Sequence, residues 1–126
     1  DWYRQLTKPA LNPPGWVFGP VWTLLYLLMG VALYLAWSRV GQPGVTMAVG
    51  VFAVQLVLNA LWTPAFFGME SPSMGLMVIV PLLALVAFST ALFWRVRALA
   101  GILLVPYLAW TGFATYLNFA IWWLNR

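Results

Sequence analysis

The sequence predicts an all-α integral membrane protein: one domain over residues 1–126, built as an antiparallel bundle of four transmembrane helices. Three observations carry this expectation. Of 126 residues, 64% are hydrophobic and 6% charged, with a mean hydropathy of +0.92. Soluble domains carry roughly 25% charged residues, so a water-soluble fold of this composition lacks the polar groups to cover its surface. The charges stand at the edges of four long apolar runs, each near the ~20 residues that cross a ~30 Å hydrocarbon core. The third observation is the placement of the nine tryptophans. Trp2, Trp16, Trp37, Trp62, Trp94, Trp122 and Trp123 fall where the two aromatic belts of a bilayer would lie. Trp22 and Trp110 fall well inside apolar segments, where each ring N–H needs a partner within the protein or a ligand that binds there.

Residues 1–14 are polar, and Pro9, Pro13 and Pro14 preclude a continuous helix. This segment is expected to form a loop or lid, built either as a structured loop or as a short helix followed by an extended arm. The first span covers about residues 15–38, and Arg39-Val-Gly-Gln-Pro-Gly44 forms a turn. The second span covers about 45–67 and ends at the turn Gly68-Met-Glu-Ser-Pro72. The third covers about 73–94, Arg95-Val-Arg97 is a tight corner, and the fourth covers about 98–123. Short connections make sequential spans antiparallel neighbours. Prolines recur inside the spans at 20, 64, 81 and 106. They are either kinks packed against neighbouring helices or bends that open room for a ligand.

Several function classes are excluded. With no cysteine and no histidine, the chain has no disulfide, no thiolate, no imidazole base and no ordinary zinc site. Asp1 and Glu70 are the two acids and lie far apart, which disfavours a paired-carboxylate mechanism. The net charge of +4 comes from Arg4, Lys8, Arg39, Arg95, Arg97 and Arg126. These form no nucleic-acid stripe and serve as headgroup anchors at helix ends. Arg4, Lys8 and Arg126 lie on the face of the N-terminal loop, and Arg39, Arg95 and Arg97 on the other, so the balance assigns no orientation. No basic start followed by a short apolar run marks a signal peptide, and the start at Asp1 without methionine fits a chain trimmed at its N-terminus.

Polar side chains within spans turn toward protein or ligand. At 100° per residue, the fourth span aligns Tyr107, Thr111, Ala114 and Asn118, with Trp110 beside them and Asn125 at the end. The second aligns Gln55, Asn59, Trp62 and Phe66; the first aligns Phe18, Trp22, Tyr26 and Met29. The third shows only Ser89 and Thr90 away from its ends and reads as a lipid-facing brace. At 1.5 Å per residue, Trp22, Asn59, Trp62 and Asn118 all lie about 8–12 Å from the same membrane face, with Ala114 about 16 Å deep. Two readings of these groups stand open: hydrogen-bonding glue between helices, or an aromatic ligand pocket beneath the N-terminal loop. Gly44 and Ala48, followed by Gly50 and Ala53, give the second span small residues through which a homodimer could pack.

Several segments together resemble the translocator protein / tryptophan-rich sensory protein (TspO/MBR) family. They are Trp2-Tyr3, Lys8-Pro9 and Asn12-Pro13-Pro14-Gly15-Trp16-Val17-Phe18; Gly19 to Tyr26; Leu58 to Gly68; and Val105 to Asn118. The resemblance covers essentially the whole chain. It implies a five-helix bundle whose first helix would precede Asp1. It implies a membrane tetrapyrrole binder, with protoporphyrin IX as ligand, acting as a sensor, regulator or transporter-like protein. The family's pocket positions fall on Trp22, Asn59, Trp62, Trp110, Ala114 and Leu117, with Trp2 and Tyr3 in the lid. Tyr26, Tyr107 and Asn118 join them from the inward stripes. The family's C-terminal cholesterol-recognition pattern needs a Lys or Arg within five residues of the tyrosine; Tyr116 has none before Arg126, ten residues on. The expectation is therefore a bacterial membrane rather than the mitochondrial outer membrane. No cofactor is obligatory, and the missing histidine and cysteine favour a metal-free ring over haem. Two alternatives remain. One is a light-dependent porphyrin-degrading enzyme, with Trp22 and Trp110 as redox-capable candidates. The other is a structural or accessory subunit of a larger membrane complex whose pocket holds lipid.

Overall fold

The computed structural model describes residues 2–8 and 15–125, without the side chain of Arg4. Expectations for Asp1, for the proline-containing stretch 9–14, for the Arg4 side chain and for Arg126 lie outside the described residues. The described chain is helical, with no strand. A short helix α1 (Trp2–Gln5) lies at the start, and a 3-10 turn at Gly15–Val17 leads into α2 (Phe18–Trp37). Helix α3 (Val45–Thr63) runs directly into a π-helical turn at Pro64–Gly68; α4 (Pro72–Val96) and α5 (Ala98–Leu124) follow. Among the described residues four helices, counting α3 together with its π turn, are long and apolar enough to cross a membrane.

Local chemistry sets the ends of these helices. Gly44 begins α3 at φ 88°, a left-handed conformation that glycine adopts without a Cβ clash. Ser71 caps α4: its Oγ accepts from the Met74 N–H at 3.1 Å, and Pro72 occupies the first turn, where its missing N–H costs nothing. Between α4 and α5 stands one extended residue, Arg97. Pro20 lies in the first turn of α2, while Pro81 and Pro106 sit in exposed positions on α4 and α5. Of the four prolines, Pro64 reshapes the bundle interior, because the π turn begins there.

Helix α4 packs extensively on both α3 and α5, and α5 packs on α2, whereas α2 and α3 touch only lightly. This overturns the lipid-facing reading of the third span. In the most apolar stretch of α4, 39% of residues are buried, against 17% in α2. Ile79, Leu82, Val86, Ser89, Thr90 and Phe93 all turn inward. Apart from Ser89 and Thr90, which do face inward, the middle of α4 is apolar on every side, and there polarity does not distinguish a lipid-facing side from a protein-facing one. The contacts of α4 are made by shape, as in the Phe52–Phe93 ring pair at 5.2 Å. Helix α2 is the outer element, burying a narrow stripe of Leu25, Met29, Ala32 and Ala36.

Candidate functional site: an aromatic cavity under the N-terminal segment

Where α2 and α3 barely touch, the bundle holds two adjoining cavities. The upper, about 270 Å³, is lined by Tyr3, Phe18, Trp22, Trp62, Thr63, Phe66, Phe67, Ala114, Leu117, Asn118 and Ile121. The lower, about 150 Å³, shares Trp22, Trp62, Thr63 and Ala114 with it and adds Tyr26, Asn59, Ile79, Leu82 and Thr111. Their walls are largely apolar and aromatic, the usual character of a small-molecule site.

The amides of the inward stripes hold the helices together. Tyr26 Oη donates to Asn59 Oδ1 at 2.8 Å, tying α2 to α3. Asn59 Nδ2 donates to Tyr107 Oη at 2.7 Å, and Tyr107 donates onward to Gln55 Oε1, which ties α3 to α5. Trp62 Nε1 donates to Asn118 Oδ1 at 2.9 Å, while Asn118 Nδ2 donates to the Pro72 carbonyl at 2.8 Å, joining α3, α5 and α4. The threonines contribute little between helices: Thr23, Thr90, Thr111 and Thr115 each donate to the carbonyl one turn earlier. In this geometry the two readings of the polar stripes divide by atom. Amide and phenol groups bond helix to helix, while the tryptophan and phenylalanine faces are left for the cavity.

Asn118 is thus a three-helix junction, and Gly75 gives it room. A Cβ on Gly75 would stand 2.5 Å from Asn118 Oδ1 and 2.8 Å from the Phe66 ring. Asn118→Ala removes both interhelical bonds. The expected cost is about 1–2 kcal/mol, read as a lower unfolding midpoint in detergent; an unchanged midpoint would show that the junction carries no load.

The π turn positions the roof. It turns Phe66 fully inward and leaves Phe67 at the rim, and both rings receive the N-terminal segment. Trp2 meets Phe66 edge-on at 5.4 Å, and Tyr3 meets Phe67 at 5.3 Å. A second clamp lies at the end of α5. Asn125 accepts from the Thr7 N–H at 3.0 Å and donates to the Thr7 carbonyl at 2.8 Å. Lys8 places its ammonium 4.6 Å from the centre of the Tyr3 ring, and it donates to the Leu6 carbonyl at 3.3 Å.

Of the residues expected at the site, Tyr3, Trp22, Tyr26, Asn59, Trp62, Ala114, Leu117 and Asn118 line the cavities. Trp2 lies on the roof. Tyr107 is buried behind Asn59 and lines neither cavity. Trp110 stands one layer back, 5.7 Å from Phe18 and 6.5 Å from Trp22. Its Nε1 is buried without a partner, as are Gln55 Nε2 and Ser89 Oγ among the described residues. Thr63, Phe67, Ile79, Leu82 and Ile121 had not been anticipated. Phe18, Phe66 and Thr111 stood on the inward stripes without being assigned to the site. Ile79 and Leu82 carry no sequence signal, being apolar positions on an apolar helix. Phe67 falls off the 100° projection of its stripe because of the π turn, whereas Ile121 lies on the stripe of α5, seven residues after Ala114, and as an apolar residue carries no polar signal. No group of three acidic, histidine or cysteine residues able to hold a metal occurs among the described residues.

Fold and site together define a multi-pass α-helical membrane protein with an aromatic cavity inside its bundle. The sequence profile of the TspO/MBR family matches residues 1–124. The chain is 46% identical to the tryptophan-rich protein TspO of Chlorobaculum tepidum, a match covering 98% of this chain and 79% of that one. It is 44% identical to the tryptophan-rich sensory protein of Cereibacter sphaeroides, covering 99% and 77%, and 40% identical to the human translocator protein, covering 96% and 73%. The chain belongs to the TspO/MBR family.

Proposed function

We propose that this protein binds a tetrapyrrole, protoporphyrin IX, in the cavity between α2, α3 and α5 and acts as a membrane sensor, regulator or transporter-like protein in a bacterial membrane. The carrying observation is the cavity wall. Trp22 and Trp62 present indole faces, Phe18, Phe66, Phe67 and Tyr3 complete an aromatic surround, and Ala114 leaves space at the junction of the two cavities. A broad planar π-system gains dispersion and ring–ring contact from such walls. Lys8 above Tyr3 offers a cation to an anionic propionate at the rim. The names sensory protein and translocator protein among the relatives agree with a ligand-responsive or carrying role. A homodimer remains part of this proposal. Gly44 begins α3 and Ala48 is buried within the bundle, so the outward small residues available to it are Gly50 and Ala53.

The test is a protoporphyrin titration followed by tryptophan-fluorescence quenching. Wild-type protein should bind saturably, and Trp22→Phe combined with Trp110→Phe should weaken binding at least tenfold. Unchanged affinity in the double variant would remove this cavity from consideration.

One observation favours a second, photochemical reading. Trp22 lines the cavity, and Trp110 lies edge-on behind it at 6.5 Å, close enough to pass an electron between the rings. Under this reading, illumination of the complex in air bleaches the porphyrin absorbance and Trp110→Phe slows the bleaching. A trace as flat in light as in darkness would eliminate it.

A further inference from the structure

We propose a binding site for an anionic phospholipid headgroup at the membrane face opposite the N-terminal segment, formed by Arg39, Arg95 and Arg97 around the α4–α5 corner. The corner places an arginine on each side of Val96, and the Val96 carbonyl accepts from Arg39 Nη1 at 3.3 Å. That bond draws the end of α2 to the same point, so three guanidinium-bearing residues from two parts of the chain converge on one corner. Arg39 thereby satisfies a carbonyl at the end of α4 and keeps its other donors; a guanidinium carries five.

Among the described residues nothing acidic balances this charge. Glu70 is the acidic residue among those described, and it lies in the α3–α4 turn at the opposite end of α4. Arg95 is exposed and Arg97 half-buried, and neither has a partner among the described residues. Helix α5 begins here with Arg97 extended at φ −160° and no side-chain cap, so the positive end of a 27-residue helix faces the same corner. The flanking surface places the site at the lipid boundary. Trp37, Val40 and Trp94 are all about half exposed beside the arginines, as expected for aromatic and aliphatic groups at headgroup level. A phosphodiester among arginines accepts charge-assisted, two-pronged hydrogen bonds, while the acyl chains lie along the exposed faces of α2 and α4. Electrical neutrality distinguishes the phosphatidylcholine headgroup from the phosphatidylglycerol one, and three uncompensated cations favour the latter.

The experiment uses the full chain in nanodiscs of phosphatidylcholine with one fifth phosphatidylglycerol. Native mass spectrometry after release into detergent reads which lipid stays bound. Wild-type protein should retain phosphatidylglycerol over phosphatidylcholine. Arg95→Gln and Arg97→Gln should each lower that preference roughly fivefold, and Arg95→Lys should keep most of it. Arg95 has no structural bond to lose, so its variants remain informative even if changes at Arg39 unsettle the fold. Equal retention of both lipids by wild type, or an undiminished preference in the Arg95→Gln/Arg97→Gln double variant, overturns the proposal. Displacement of the lipid by millimolar glycerol phosphate overturns it too, by making the site one for a soluble anion.

Discussion

Ala114→Phe should abolish measurable protoporphyrin binding, lowering affinity on the order of a hundredfold or more (about 2.7 kcal/mol), while leaving the protein as stable as before or more so. Ala114 is the residue of α5 that borders both cavities. Its neighbours across the space are Trp22 and Trp62, so a phenyl ring placed there occupies volume the ligand needs. The ring enters existing space rather than a packed core. The usual cost of overpacking therefore does not arise, and filling the cavity adds contacts. The measurement pairs a fluorescence titration with a thermal unfolding curve on the same preparation. Lost binding with intact stability supports the cavity as the ligand site. Retained binding places the ligand elsewhere, and lost binding with a lower unfolding midpoint shows that the cavity is smaller than described.

Gly101→Ala should be the most destabilising single-methyl change in the chain. A Cβ at Gly101 would stand 2.7 Å from the Trp94 Cα and 2.6 Å from its Cβ. The obstacle includes backbone, so no rotamer change relieves it. Only Arg97 separates α4 from α5, leaving the hairpin no slack to spread. A cost of about 1–3 kcal/mol follows for overpacking, a large fraction of a typical total stability of about 5–15 kcal/mol. Gly30→Ala supplies the control: nothing lies within 4 Å of its added methyl, and alanine is the better helix former by about 1 kcal/mol. Equal stability of the two variants would contradict the close approach of α4 and α5. Because α5 carries Ala114, Leu117 and Asn118, Gly101→Ala should also weaken ligand binding, but only in proportion to the loss of folded protein.

Much of the fold was legible because a bilayer imposes simple rules. Apolar run length, edge charges and Gly/Pro punctuation identify four spans, and no further contact is needed to see them. The aromatic and amide stripes on three spans were legible for a related reason: a polar group in hydrocarbon is costly, so Gln55, Asn59 and Asn118 had to face protein. Eight of the eleven residues expected to contact ligand do line the cavities. Tyr107 shows the limit of that reasoning. An inward direction does not separate a cavity wall from the layer behind it, and its hydroxyl is used by Asn59 and Gln55.

The sequence by itself determined the membrane class, the number of spans, the family and the inward faces of the three helices that carry polar groups. Tertiary structure decided the rest: that α4 is central, that a π turn at Pro64 presents Phe66 and Phe67 to the N-terminal segment, and that Arg39 joins the arginines of a distant corner. The physical reason is one of contrast. Where a side chain differs in polarity from lipid, its direction is written in its chemistry. Where helix, neighbour and solvent are all hydrocarbon, as for Ile79 and Leu82, only the fit of shapes decides which side faces in, and shape appears only when the helices are assembled.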